Sequence, residues 1–256
     1  MLRPNRLKQR LRAGERSIGC WLFMGSPTAA EILSHCGYDA LLIDHEHSPG
    51  GLETAVDQLR AIAPSPVTTL VRLGDNIAAP VKQALDSGAD GIVAANVEDA
   101  DTLERLVAAA LYPPLGKRGA HFTVSRAARW GLDGDLYAAN ADKELLVIAM
   151  IESAAGVAAI PELARVANVD MFFIGPLDLS ASIGLMGRYT ESAFVELLDE
   201  AERRTREAGI ALGGAALPGH DAAALFDRGY AFVTAASDVG LLRDGGLQMA
   251  RPVLRT

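Results

Sequence analysis

Short apolar runs alternate along the chain with longer stretches of helical period. The runs fall at 17–23 (SIGCWLF), 38–44 (YDALLID), 67–73 (VTTLVRL), 91–97 (GIVAANV), 145–151 (LLVIAMI), 170–175 (DMFFIG), 210–215 (IALGGA) and 231–236 (AFVTAA). Each is continuous rather than alternating in polarity, as expected of a parallel strand covered on both faces. Between them, helical spacing predicts helices over 27–36, 51–62, 77–87, 98–110, 155–166, 190–208, 219–228 and 238–250. Pro27-Thr28, Asp99 with Asp101, and Thr190-Glu191 mark helix starts. Eight strand-then-helix units predict an α/β chain folded as a (β/α)8 TIM barrel. A doubly wound sheet fits less well, because the turn after the first run (Met24-Gly25-Ser26-Pro27) is not a glycine-rich phosphate loop. The long stretch at about 112–143, carrying Tyr112-Pro113-Pro114-Leu115-Gly116-Lys117-Arg118-Gly119, reads as an insertion of the kind that forms a functional loop.

Length supports a single domain over 1–256, since one such barrel takes roughly 250 residues. Half the residues are apolar, which excludes disorder as the main state. A net charge of −8 argues against a nucleic-acid partner. No apolar run approaches the roughly 18 residues of a membrane span. The basic start (Arg3, Arg6, Lys8, Arg10, Arg12, Arg16) is followed by no signal-type apolar segment. It reads as the solvated face of a surface helix, and a cytoplasmic location is expected. Cys20 and Cys36 are too few for a disulfide framework or a thiolate metal site, and each reads as a small buried apolar residue.

A barrel places its chemistry at the C-terminal ends of its strands. Asp44-His45-Glu46-His47 follows the second run, Arg72 ends the third, Glu152 ends the fifth, and Asp178 follows the sixth. Each has a plainer alternative. Asp178 and Glu152 could cap helices, Arg72 could pair with a neighbouring acid, and at most one of His45 and His47 is expected to be catalytic, the other being a packing or rim residue. Gathered at one mouth, they point instead to metal-assisted chemistry on a small oxo-acid. Two carboxylates without thiolates suit Mg²⁺ or Mn²⁺. An arginine beside them suits a carboxylate or an enolate, and a histidine suits proton transfer. The lysines exclude something. Lys8, Lys82, Lys117 and Lys143 are the only four beside 20 arginines, and none lies on a strand-like run. No Schiff-base lysine is therefore available, so a carbon–carbon lyase on this barrel needs a metal as its electron sink.

Several motifs are specific in combination: Leu42-Ile43-Asp44-His45-Glu46-His47-Ser48-Pro49, Val71-Arg72, Tyr112-Pro113-Pro114 with Arg118-Gly119, Met150-Ile151-Glu152-Ser153, and Phe173-Ile174-Gly175-Pro176-Leu177-Asp178-Leu179-Ser180. On these the chain resembles, over nearly its whole length, the HpcH/HpaI aldolase family of class II, metal-dependent pyruvate aldolases. The resemblance implies that Glu152 and Asp178 bind a divalent cation (Mg²⁺ or Mn²⁺, or else Co²⁺), with no organic cofactor. It implies that Arg72 binds the keto oxygen and stabilises the enolate, and that His47, paired with Asp44, is the base, acting through a water. The resemblance also implies that backbone amides near Pro176-Leu177-Asp178, beside Gly175, hold the substrate carboxylate, and that Trp21 and Met150 flank the substrate. Asp86, fourteen residues beyond Arg72, matches an acid that tunes the base from an adjacent subunit. The family usually assembles as homohexamers, trimers of dimers, with an exchanged C-terminal helix; 238–250 is either that helix or an ordinary barrel helix.

The implied reaction cleaves 4-hydroxy-2-oxo acids, such as 2-keto-3-deoxy sugar acids, to pyruvate and an aldehyde. The chain departs from the family pattern at His45, where sugar-acid aldolases carry Gly, at Met150, where many members carry Gln, and at Ala94-Ala95-Asn96-Val97. Related members that accept hydroxypyruvate also carry Met at that position, so either donor remains open. The aldehyde's recognition is expected at the rim, from His45, the insertion with His121 and Phe122, and the region of Leu217 and His220. Alternative readings are a citramalyl- or malyl-CoA-type lyase on the same barrel, which would need a basic face for CoA and is disfavoured by the shortage of lysine and the net charge of −8, and a phosphate-binding barrel isomerase using Gly213-Gly214. A binding module that lost turnover is a further alternative.

Overall fold

Every apolar run becomes a strand in the computed structural model, which describes residues 3–74 and 78–251. The strands are β1 (Ser17–Leu22), β2 (Ala40–Asp44), β3 (Thr68–Leu73), β4 (Gly91–Ala94), β5 (Leu146–Ile151), β6 (Met171–Ile174), β7 (Ala211–Ala215) and β8 (Phe232–Ser237). They pair in chain order, all parallel, and close into a barrel where β8 meets β1. The continuous polarity has a direct cause. One side of each strand packs into the barrel interior (Leu42, Leu70, Val93, Ile148, Phe173, Phe232), and the other packs under the helices (Leu41, Ile43, Val71, Ile92, Val147).

The helices are α1 (Arg6–Arg12), α2 (Pro27–Ser34), α3 (Leu52–Ile62), α4 (Ala78–Asp86), α5 (Ala100–Ala110), α6 (Gly134–Glu144), α7 (Ala154–Leu163), α8 (Pro176–Ser182), α9 (Ser192–Glu207), α10 (Ala222–Asp227) and α11 (Asp238–Ala250). All eight predicted helical spans hold one of them. The start expected at residue 77 lies outside the described residues. Side-chain caps set several starts, Ser26 accepting from the Ala29 amide at 3.2 Å and Asp99 from that of Thr102 at 2.7 Å. The pattern missed α6, inside the insertion, and α8, a short helix beginning within the Gly175–Ser180 motif.

Three expectations are corrected, the first being that both cysteines are buried: Cys20 is, on β1, but Cys36 is exposed just past the end of α2. The basic start is a solvated face only in part: Arg6, Arg12 and Arg16 are exposed, but the buried side of α1 closes the floor of the barrel. Leu7 is fully buried among the interior residues. The Arg3 guanidinium donates to the Ser65 and Val67 carbonyls, and the Lys8 ammonium donates to the Leu145 carbonyl and pairs with Asp170 at 3.1 Å. Asn5 donates to the carbonyls of Asp90 and Glu144, both at 2.9 Å. These acceptors precede β3 to β6; the Asp90 carbonyl also takes the Leu146 amide at 3.2 Å, while those of Ser65, Val67, Glu144 and Leu145 accept no backbone amide among the described residues and are satisfied by the cationic and amide donors.

The insertion does not line the mouth of its own barrel. It leaves α5 and enters β5, so it lies at the floor end, because only the loops that follow strands reach the C-terminal end. Its core is Tyr112, Ala127, Ala128, Tyr137 and Ala141, and Phe122 packs edge-on against Tyr112. His121 and Phe122 are thereby removed from this chain's own rim.

Candidate active site

Asp44 and Arg72 are ladder partners at the ends of β2 and β3, and this register is why they meet. Arg72 Nε donates to Asp44 Oδ1 at 2.6 Å. The same carboxylate accepts the amides of Glu46 at 3.1 Å and His47 at 3.0 Å. Burial alone would raise the Asp44 pKa, but the hydrogen bond and charge of Arg72, with the two amides, hold it below the ordinary carboxylate range. Asp44 therefore shapes the loop and orients the arginine. Its contact with His47 is through that residue's backbone, not its imidazole.

The imidazole partner is a residue to which the sequence reading gave no role. Glu46 Oε2 lies 3.6 Å from His47 Nε2 and 3.2 Å from the second arm of Arg72. A signal was available, since Glu46 stands two positions beyond Asp44, a spacing that keeps side chains on one face of extended chain. Gly74 makes room for it, because a Cβ there would meet Glu46 Cγ at 3.3 Å.

Trp21, near the end of β1, forms a platform under this cluster. The Arg72 guanidinium carbon sits 4.7 Å from the centroid of its ring. Its indole N–H donates to Thr234 Oγ1 at 3.0 Å, and Phe23 stacks on it with centroids 5.6 Å apart.

Glu152 directly follows β5 and is buried. Its Oε1 accepts the Asn96 amide at 2.6 Å, from a residue held at φ 46° just past β4. Burial pushes the Glu152 pKa up to about 7; Asp178 and Glu46 add to the rise, while the Asn96 amide and Arg72 oppose it. Asp178 occupies the first turn of α8 and is exposed there, where the helix end favours negative charge. Gly175 has no room for a side chain: a Cβ would lie 2.7 Å from Glu152 Oε2 and 3.4 Å from Met150 Cε. Pro176 is buried as the first residue of α8, and Leu177 is half exposed beside it.

This donor set fits a hard divalent cation. One buried carboxylate and one exposed carboxylate repel each other in the absence of positive charge, and both offer oxygen. Among the described residues no group of three or more His, Cys, Asp or Glu is placed to hold a metal. A cation on Glu152 and Asp178 would complete its shell with water and substrate.

Two candidates lie elsewhere. Asp86 is the last residue of α4, which runs from the mouth toward the floor. Its carboxylate accepts from Arg118 at 2.7 Å, and Arg118 sits over Tyr112 and donates to the Tyr137 hydroxyl at 3.0 Å. The chain does not carry Asp86 to its own mouth. His45 lies outside the barrel wall, lining a cavity of about 470 Å³ with Leu52, Leu59 and Gln83. Burial lowers its pKa, against the opposing charge of Asp44. Leu217 and His220 pair through their backbones in the loop after β7, at the mouth end as expected.

A sequence profile described as HpcH/HpaI aldolase/citrate lyase matches residues 17–245. The chain is 38% identical over 238 residues to a hydroxypyruvate/pyruvate aldolase of Pseudomonas aeruginosa, spanning 93% of this chain and 88% of that one. It is 38% identical over 209 residues to a 4-hydroxy-2-oxo-heptane-1,7-dioate aldolase of Shigella sonnei strain Ss046, spanning 82% and 79%. The crystal structure of an HpcH/HpaI aldolase/citrate lyase family protein from Burkholderia cenocepacia J2315 superposes with a TM-score of 0.91 at 36% identity, covering 98% of this chain and all of that one.

Proposed function

The chain belongs to the HpcH/HpaI aldolase/citrate lyase family, and on that premise we propose how this mouth works as a class II, metal-dependent pyruvate aldolase. The reaction is the reversible cleavage of 4-hydroxy-2-oxo acids to an aldehyde and pyruvate or hydroxypyruvate. The observation that carries the assignment of roles is the pairing of two environments at one barrel end. Glu152 and Asp178 present two carboxyl groups whose negative charges oppose each other, and Arg72 is held rigidly by Asp44, Glu46 and Trp21.

Glu152 and Asp178 would hold Mg²⁺, Mn²⁺ or Co²⁺, which when bound supplies Lewis-acid polarisation of the substrate's keto group. Arg72 donates to the keto oxygen and stabilises the negative charge that develops there. Its bonds to Asp44 and Glu46 fix its orientation beforehand, so little reorganisation accompanies reaction. The amides of Leu177 and Asp178, in the first turn of α8, have no partner within the helix and suit the substrate carboxylate. Trp21 and Met150 wall the pyruvyl end. His47, exposed at the rim with Glu46 beside it, takes the proton of the C4 hydroxyl through a water. The C3–C4 bond then breaks, its electron pair passing into the enolate as the aldehyde carbonyl forms. Protonation at C3 gives pyruvate.

The described lysines offer no alternative electron sink, since Lys8 is at the floor, Lys82 on α4, Lys117 in the insertion and Lys143 on α6. The named aldolase relatives favour this reading over the acyl-CoA lyase alternative. Hydroxypyruvate as donor is supported by the Pseudomonas relative's name together with Met150. The substrates are small molecules, and the location proposed from the sequence is cytoplasmic. No described helix is long and apolar enough to cross a membrane.

Assembly as a homohexamer through exchange of α11 is part of the proposal. Asp238 is the one buried residue of this helix, while Leu241, Leu242, Leu247 and Met249 are exposed. In that assembly Asp86 of a neighbouring subunit would act on His47. The deciding experiment is a cleavage screen of 4-hydroxy-2-oxo acids with pyruvate and hydroxypyruvate as detected products. EDTA should abolish turnover, and Mg²⁺, Mn²⁺ or Co²⁺ should restore it. Full activity in EDTA with no bound metal would overturn the reading.

A further inference from the structure

We propose that Asp238 is a positioning residue whose carboxylate pins the turn after β1 and thereby holds Trp21 beneath Arg72. The inference rests on the substrate-binding role given to Arg72 above. Asp238 opens α11 and is 4% exposed. Its Oδ1 accepts the amides of Phe23 at 2.9 Å and Val239 at 2.7 Å, and its Oδ2 accepts the amide of Met24 at 3.0 Å. Capping does not explain this geometry, because Ser237 already caps α11 by accepting the Gly240 amide at 3.0 Å. Instead the carboxylate joins the last element of the barrel to the first.

The joined segment bears on the site. Phe23 carries one pinned amide, and its ring stacks on Trp21 with an interplanar angle of 17°. Trp21 is tied on its other edge to Thr234 of β8, three residues before the capping Ser237. Arg72 lies over the same indole. A contiguous series of contacts thus runs from Asp238 through Phe23 and Trp21 to the guanidinium. The turn needs acceptors on both arms of residue 238, since the amides of Phe23 and Met24 approach different oxygens. Asn would turn a donor toward one of them.

The test uses the full-length metal-loaded enzyme in a Trp130→Phe background, in which Trp21 is the only tryptophan. Asp238→Asn should change the near-UV circular dichroism of Trp21 and lower kcat/KM about tenfold. The double variant Asp238→Asn/Trp21→Phe should be no slower than Trp21→Phe alone. Additive losses, or an unchanged Trp21 signal with kcat/KM within twofold, would overturn the proposal. Phe23→Leu keeps the pinned backbone but removes the stack, so it covers the case in which Asp238→Asn does not fold. It should reproduce the altered signal and the loss of kcat/KM, and wild-type behaviour would count against the proposal. The Trp21 signal does not depend on turnover, so it separates failure of this inference from failure of the aldolase reading.

Discussion

Gly175 and Glu152 are matched to one another: a Cβ on Gly175 would lie 2.7 Å from Glu152 Oε2 and 2.9 Å from Glu152 Cβ. Gly175→Ala should therefore displace the carboxylate without disturbing the barrel. The expected result is a weakened metal affinity and a kcat/KM reduced about a hundredfold, partly recovered at high Mn²⁺, with thermal unfolding changed by only ~1–3 kcal/mol. Metal titration by calorimetry, set beside kinetics across metal concentrations, checks it. Unchanged metal affinity would show that Glu152 is not a ligand.

Arg72 is held in three ways that lysine cannot reproduce: Nε on Asp44, a second arm on Glu46, and a flat face on Trp21. Arg72→Lys should lower kcat/KM about a hundredfold or more, although the positive charge is kept. Glu46→Gln should cost about tenfold, mainly in kcat, since it loosens both Arg72 and His47 while leaving the ligands of the cation in place. Steady-state kinetics on a cleaved oxo-acid decides both. A Glu46→Gln enzyme within twofold of wild type would show that its contacts are incidental.

Metal-free protein should lose stability as pH rises. The Glu152 pKa stands near 4.5 in ordinary surroundings and is about 7 in the folded chain. The folded state therefore binds this proton more tightly than the unfolded state. Its contribution is fully present below the lower value, declines between the two, and is gone above the higher one. The whole change amounts to ~3 kcal/mol. Melting temperatures of the EDTA-treated protein should fall across that window, and Glu152→Gln should remove this component. Added Mg²⁺ or Mn²⁺ should raise the melting temperature most at the alkaline end, because a bound cation favours the ionised carboxylate.

The apolar face of α11 should be buried between subunits. Leu242 is 66% exposed and Met249 is 77% exposed in the single chain. Leu242→Glu or Met249→Glu should reduce the mass of the assembly in light scattering, since burying a side chain of this type is worth ~1.5–3 kcal/mol. Wild-type mass for both variants would place the interface elsewhere.

The barrel could be read from the linear order of its apolar runs, because burial on both faces leaves a continuous signal in each strand and parallel pairing needs an intervening helix. The strand-end acids and Arg72 were legible for the same reason, since their places follow once the strands are known. Three matters depended on pairing and packing in space. Register set Asp44 against Arg72 and occupied the carboxylate, leaving Glu46 as the neighbour of the His47 imidazole. Topology carried the insertion and Asp86 to the floor end, because both lie where a helix runs down to the strand that follows it. Carbonyls ahead of β3 and β5 that accept no backbone amide among the described residues engage Arg3, Asn5 and Lys8, so that part of a basic segment that looked solvated closes the barrel. In each case the chemical type of the residue was evident in the sequence, while its partner, and hence its work, was set by which backbone and side-chain groups the closed barrel left without one.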